Sequence, residues 1–257
     1  MQDLNIMIKR LLILGGTSEA RLLADQAVSI FGNHLFVSTS LSGATKAPKR
    51  AAGSGRTGGF GGADGLRSYL NENKIDFLID ATHPFASRIS SHAVDACSSS
   101  DVDRLVLRRP AWKAIPGDHW IEVDNTMAAA SILPTFGRIC FLTIGKRSVT
   151  SFSNISNMHF IVRMIEKSER PLPLTQYETI ISNPPYKIED DELLMKNKEV
   201  DVLVAKNAGG HGAYSKIAAA RNLSIPTIMI NRPLPPTGQI AKTVPEALSW
   251  LDNAILK

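Results

Sequence analysis

Short apolar runs alternate with amphipathic segments along nearly the whole of this chain, and that alternation leaves it few folds. Residues 10–14, 35–39, 76–79 and 104–107 read as strands, since unbroken apolar runs of this length suit a sheet covered on both faces. Helical spacing follows them at 19–31, 64–71 and 85–96, and Ala20, Leu22, Leu23, Ala27 and Ile30 can share one apolar face. The pattern then restarts. Strands are expected at 139–143, 159–164, 179–182, 200–205 and 227–230, with helices at 188–197, 214–222 and 245–253. Strands alternating with helices argue for mostly parallel sheets flanked by helices. The 257 residues suffice for two such units. A break in the pattern at 117–138 divides them into Rossmann-like units at 1–124 and 125–257, with an active-site cleft expected between them.

In open α/β sheets ligands bind at the carboxyl ends of the strands, so the residues there are the candidates for chemistry. After the first strand comes Gly15-Gly16-Thr17-Ser18, opening a helix. Glycines there let the backbone approach a phosphate, and the helix start favours its charge. The spacing is not G-x-G-x-x-G, and a turn that merely packs strand on helix would read the same way. After the third strand comes Asp80-Ala81-Thr82-His83-Pro84-Phe85-Ala86, a polar group held where a helix is expected to begin at Phe85. The second strand ends in Ser38-Thr39-Ser40, without the carboxylate that would meet the ribose of NAD. Lys46, Lys49 and Arg50 lie just beyond, so NADP is favoured over NAD. Arg56-Thr57-Gly58-Gly59-Phe60-Gly61-Gly62 reads as a loop lying against a flat ligand, or as a flexible loop tip. Arg109 and Trp112 leave one strand and Lys206 leaves another. A guanidinium suits a carboxylate, and an indole suits a flat ring or a packing role.

Several function classes are excluded. The net charge of +5 favours anionic partners, but the basic residues are scattered and only 6% of the chain is aromatic, which argues against nucleic acid. No run reaches the ~20 apolar residues of a membrane span. The start lacks the apolar core of a signal peptide. Cys97 and Cys140 read as buried thiols in a reducing compartment, so a cytoplasmic protein is expected. The six histidines show no metal-ligand spacing, and no metal is expected. There is no G-x-S-x-G elbow, and Tyr214-Ser215-Lys216 does not have the spacing of a Tyr-x-x-x-Lys pair.

Several stretches together resemble the precorrin-6A reductase family of corrin-ring (cobalamin) biosynthesis. They are Leu14-Gly-Gly-Thr-Ser-Glu-Ala-Arg21, Arg56-Thr-Gly-Gly-Phe-Gly-Gly62 with Gly65-Leu66, and Asp80-Ala-Thr-His-Pro-Phe-Ala86. Arg109-Pro-Ala-Trp112, Lys206-Asn-Ala-Gly-Gly210, Lys216-Ile217, Ala219-Ala220-Arg221 and Arg232-Pro233 also match. Ala208 stands where the family commonly has Ser. The resemblance implies an oxidoreductase that uses NADPH to reduce one carbon–carbon double bond of the precorrin-6A macrocycle, giving precorrin-6B. It implies that Gly15, Gly16, Thr17 and Ser18 hold the pyrophosphate, Ser38 and Thr39 approach the 2′-phosphate, and Gly58 and Gly59 lie against the cofactor. Thr82 and His83 would sit near the nicotinamide. The proton would come from His83, Tyr214 or water, and Arg109, Trp112 and Lys206 would bind the tetrapyrrole. A monomer or homodimer is expected. Two other readings stay open on the residues: an NADP-dependent reductase or epimerase of another anionic metabolite, and a non-catalytic tetrapyrrole or nucleotide carrier.

Overall fold

The computed structural model describes residues 8–43 and 51–256, so Lys46, Lys49 and Arg50 lie outside the described residues. In chain order the elements are β1 (Lys9–Leu14), α1 (Ser18–Phe31), β2 (Leu35–Leu41), β3 (Ser54–Thr57), α2 (Ala63–Glu72), β4 (Phe77–Asp80), α3 (Ser87–Ser98) and β5 (Asp103–Leu107). They continue as β6 (Trp120–Val123), α4 (Thr126–Ile132), β7 (Ile139–Thr143), β8 (His159–Met164), β9 (Tyr177–Ile181), α5 (Ile188–Asn197), β10 (Val202–Lys206), α6 (Ser215–Asn222), β11 (Thr227–Ile230), β12 (Gln239–Ala241) and α7 (Val244–Ile255).

Packing divides the chain into Met1–Arg109 with Leu234–Lys257, and Pro110–Pro233. The first unit holds a six-stranded sheet in the order β3-β2-β1-β4-β5-β12, and the second a six-stranded sheet in the order β9-β8-β7-β10-β11-β6. Every pairing is parallel. Both sheets therefore have the doubly wound order in which the chain reverses direction across the sheet, beside β1 in one and β7 in the other. Neither sixth strand is local. β6 precedes its sheet's other strands in sequence, and β12 follows the whole second unit.

This corrects the expected boundary at 124/125. Trp120 pairs with Thr227, so β6 already belongs to the second sheet. Ala241 pairs with Leu107, and Leu248 and Leu251 of α7 pack in the first unit's core. β6 and β12 are short and mostly part-exposed, and β3 is an exposed edge of four polar or glycine residues. None of the three carries the unbroken apolar run that marks a buried parallel strand.

β1 explains why the first unit holds together. Leu11 and Ile13 face Leu23 and Ala27 of α1 and Leu251 of α7, while Leu12 and Leu14 face Leu66 and Leu70 of α2 and Ala93 and Ala96 of α3. In the second unit Phe141, Leu203 and Met229 pack with Met195 of α5 and with Ile217 and Ala220 of α6. Both cysteines are buried and unbridged. Burial pushes the Cys97 thiol up to about 11 and that of Cys140 further, so both stay protonated and inert at neutral pH.

Leu12 is fully buried in the central strand. Leu12→Ala is expected to destabilise the protein by about 2–5 kcal/mol, seen as a lower urea midpoint.

Candidate functional site

The order of the first sheet reverses between β1 and β4, so the two motifs that follow these strands are neighbours. Leu14 pairs with Asp80, and Ala81 N–H donates to Leu14 O at 3.0 Å. Thr17 closes the junction. Its hydroxyl donates to Ala81 O at 2.8 Å and accepts from Ala20 N–H at 3.1 Å, capping α1. On the other side Gly15 N–H donates to Ser40 O at 2.9 Å. A Cβ on Gly15 would come within 2.9 Å of the Thr39 methyl, so this glycine permits close strand packing. Gly16 differs: its φ is +113° and nothing lies within 4 Å of where its Cβ would be. The open backbone of the turn is therefore at Gly16, whereas the Thr17 hydroxyl is already engaged by protein. Ser18 donates to Glu19 at 2.9 Å, and Glu19 accepts from Arg109 at 2.7 Å.

Asp80 is 2% exposed. Its Oδ1 accepts from Thr82 N–H at 3.1 Å and from the Thr82 hydroxyl at 2.7 Å, while its buried Oδ2 has no hydrogen-bond partner among the described residues. Burial lowers the pKa of Arg108, and the charge of Asp80 opposes that shift. His83 organises the next turn. Its Nδ1 accepts from Phe85 N–H at 3.3 Å and its carbonyl accepts from Ala86 N–H at 2.7 Å. Those two donors are spent on His83, so α3 starts at Ser87 rather than at Phe85. An accepting Nδ1 leaves the proton of a neutral ring on Nε2. Thr17, Glu19, Thr82, Pro84, Arg108 and Arg109 line a recess at this point.

The end of β2 departs from the sequence expectation. The Ser38 hydroxyl turns inward and donates to Leu11 O at 3.2 Å. Thr39 Oγ1 is buried without a hydrogen-bond partner among the described residues. It is Ser40 that meets a cation, accepting from Arg56 at 2.7 Å. Arg56 also donates to the carbonyls of Gly58 and Gly59, each at 3.1 Å, and its guanidinium lies 4.0 Å from the Phe60 ring centre. Arg56 thus organises the glycine loop. Sequence reading placed it in the motif but not among the site residues, because only strand pairing puts β3 beside β2.

In the second unit the order reverses between β7 and β10. Lys206, at the end of β10, donates to the Ser148 hydroxyl at 2.7 Å. Asn207 binds the Trp112 backbone twice, accepting from its N–H at 2.9 Å and donating to its carbonyl at 3.0 Å. Trp112 Nε1–H donates to Gly210 O at 2.7 Å, and its ring lies against Tyr214 and Lys216. The Tyr214 hydroxyl accepts from Arg221, which also donates to Asp118. Trp112 and Tyr214 therefore build the framework after β10, and Asn207, missed in the sequence, pins it. Lys216 is buried and donates to Ala213 O at 2.7 Å. Burial, with Arg163 adding and Asp191 opposing, lowers its pKa to about 7.

Among the described residues no helix is long and apolar enough to cross a membrane. Residues 10–252 match the family model described as precorrin-6x reductase CbiJ/CobK. A precorrin-6A reductase of Rhodococcus erythropolis is 39% identical over 94% of this chain and 97% of its own. One of Sinorhizobium sp is 40% identical over 95% of each chain. A solved structure, of CobK precorrin-6A reductase, is 38% identical, superposes with a TM-score of 0.90, and covers 96% of this chain and 97% of that one.

Thr17→Val is expected to lose both the cap and the tie to Ala81, costing about 1–2 kcal/mol in denaturant titration. Lys216 gives a pH signature. Between about 7 and the ordinary lysine value of 10.5 the unfolded chain holds a proton that the folded one has released, so stability rises with pH across that window. Lys216→Met is expected to flatten the rise, read from urea midpoints at about pH 7 and about pH 9.5.

Proposed function

The chain belongs to the precorrin-6x reductase family, and on that footing we propose that it reduces one carbon–carbon double bond of precorrin-6A with NADPH, giving precorrin-6B. The observation that carries the cofactor part is Arg56 beside Ser40 at the end of β2, where a carboxylate would select NAD. The residues present fit such a cofactor. Gly16 leaves backbone open at the start of α1, Thr39 Oγ1 is buried and unsatisfied, and Arg56 supplies a cation backed by an aromatic ring. When bound, the nicotinamide supplies the hydride.

The chain supplies everything else. Gly15, Gly16 and the first turn of α1 hold the pyrophosphate. Ser40 and Arg56, rather than Ser38 and Thr39, bind the 2′-phosphate, and the carbonyls of Gly58 and Gly59 hold Arg56 in place. Asp80 fixes Thr82 through two hydrogen bonds, which orients the Thr82 hydroxyl at the strand end. His83 carries an Nε2 proton beside it, and this proton goes to the ring carbon next to the one that receives hydride. Arg109, held by Glu19, and Lys206, held by Ser148, bind substrate carboxylates. Trp112 and Tyr214 shape the wall on which Lys206 stands.

The deciding experiment mixes purified protein, NADPH and precorrin-6A without air. NADPH oxidation with a shifted ring spectrum is the expected result. A spectral shift without oxidation would make the protein a carrier, and neither change would make it an enzyme of another anionic metabolite. Arg56→Leu is expected to raise KM for NADPH about tenfold or more while leaving KM for NADH nearly unchanged. Ser38→Ala is expected to keep the wild-type cofactor preference. His83→Ala is expected to lower kcat by about a hundredfold or more in single-turnover reduction, and full retention would dismiss it as the acid.

A further inference from the structure

The second sheet repeats the strand order of the first, so it has its own crevice outside the carboxyl ends of β7 and β10. That crevice lies wholly within the second unit. The two strand ends are tied together by the Thr143 hydroxyl, which donates to Val204 O at 3.0 Å. Here the chain leaves β7 through Gly145-Lys146-Arg147-Ser148. Gly145 has a φ of +80°, with nothing within 4 Å of the position of a Cβ, and the turn closes as Ser148 N–H donates to Gly145 O at 3.1 Å.

We propose that Lys206, Ser148, Lys146 and Arg147 form an anion receptor at this crevice that takes a carboxylate group of the substrate. The proposal rests on the reductase reading above. The Ser148 oxygen accepts from Lys206, which leaves its own O–H to donate. Lys206 has two further N–H donors. A carboxylate needs two converging donors of this kind. Burial lowers the pKa of Lys206, and no charge contributes to that shift. An incoming carboxylate would restore the ammonium's preference for its proton. Lys146 and Arg147 are exposed on the same turn and add positive charge at the mouth.

The two crevices differ in a way that assigns their ligands. In the first, the threonine hydroxyl of the turn is consumed by protein, the open group is backbone at Gly16, and the turn carries no cation. Backbone donors at the start of a long helix suit a phosphate. In the second, the donors are side chains on a turn that carries two cations, the arrangement for carboxylates. Sequence reading found Lys206 alone, because Ser148 and the basic pair lie some sixty residues away and only the β7–β10 pairing brings them together.

The test uses the full-length enzyme with Ser148→Ala, Lys206→Met and the double variant Lys146→Gln/Arg147→Gln, whose exposed positions leave folding intact. KM for precorrin-6A is expected to rise about tenfold in the first two and severalfold in the third, with KM for NADPH unchanged. The double variant is also expected to lose part of the salt dependence of KM. Unchanged KM for precorrin-6A in all three, or a rise in KM for NADPH instead, overturns the proposal. A second readout keeps it separate from the reductase reading. Binding of an octacarboxylate porphyrin is followed by its absorbance without NADPH. If the wild type binds it and Ser148→Ala and Lys206→Met bind at least fivefold more weakly, the receptor stands even if precorrin-6A is not reduced. If all three bind alike, the receptor falls even if it is.

Discussion

The hydroxyl of Thr17 is the joint on which the first unit's site depends. It caps α1 and, with its own proton, ties the turn after β1 to the end of β4. Such a bond is worth about 1 kcal/mol in net stability. Its larger consequence is positional. It brings the open backbone at Gly16 and the polar group from Asp80 to His83 to one side of the sheet, where the strand order reverses. The second unit repeats the device with Thr143 and Val204. Two unlike sequences thus reach the same junction, because a parallel sheet that winds both ways from a central strand leaves a gap that some hydroxyl must bridge.

From these joints the polarity of each unit follows. The strand interiors are apolar and covered on both faces, so ionic groups collect at the strand ends. At one carboxyl edge stand Arg56 with Ser40, and Asp80 with Thr82 and Arg108 near it. At the other stand Lys206 with Ser148, and the buried group of Arg163, Asp191, Ser215 and Lys216. Most of these charges are held by a hydroxyl or a backbone carbonyl rather than by water. An anionic ligand then meets donors that are already oriented, which reduces the entropy cost of binding.

Legibility in the sequence tracked burial. The long apolar runs of β1, β10 and β11 and the span of α5 were readable, because their periodicity reflects two covered faces. β3, β6 and β12 were not, since an edge strand pairs on one side only and needs no apolar run. The same limit acted on single residues. Asp80, Thr82 and His83 were legible because one strand carries them to one place. Ser38 and Ser40 were not distinguished, because they project from the same face of β2 and only Arg56 on the neighbouring strand separates them. Trp112 and Tyr214 read as ligand contacts, yet their polar atoms are spent on Gly210 and Arg221.

By itself the sequence determined the alternating α/β class, the two doubly wound units, and the strand-end motifs at Gly15, Asp80 and Lys206, all of which are local consequences of periodicity and turn chemistry. Tertiary structure alone decided where the units divide, since β6 and β12 join sheets whose other strands lie far away in the chain. It alone decided that Arg56 and Ser148 belong to the ligand-facing edges. Both depend on hydrogen bonds between strands, which register and strand order set and which no single stretch of sequence contains.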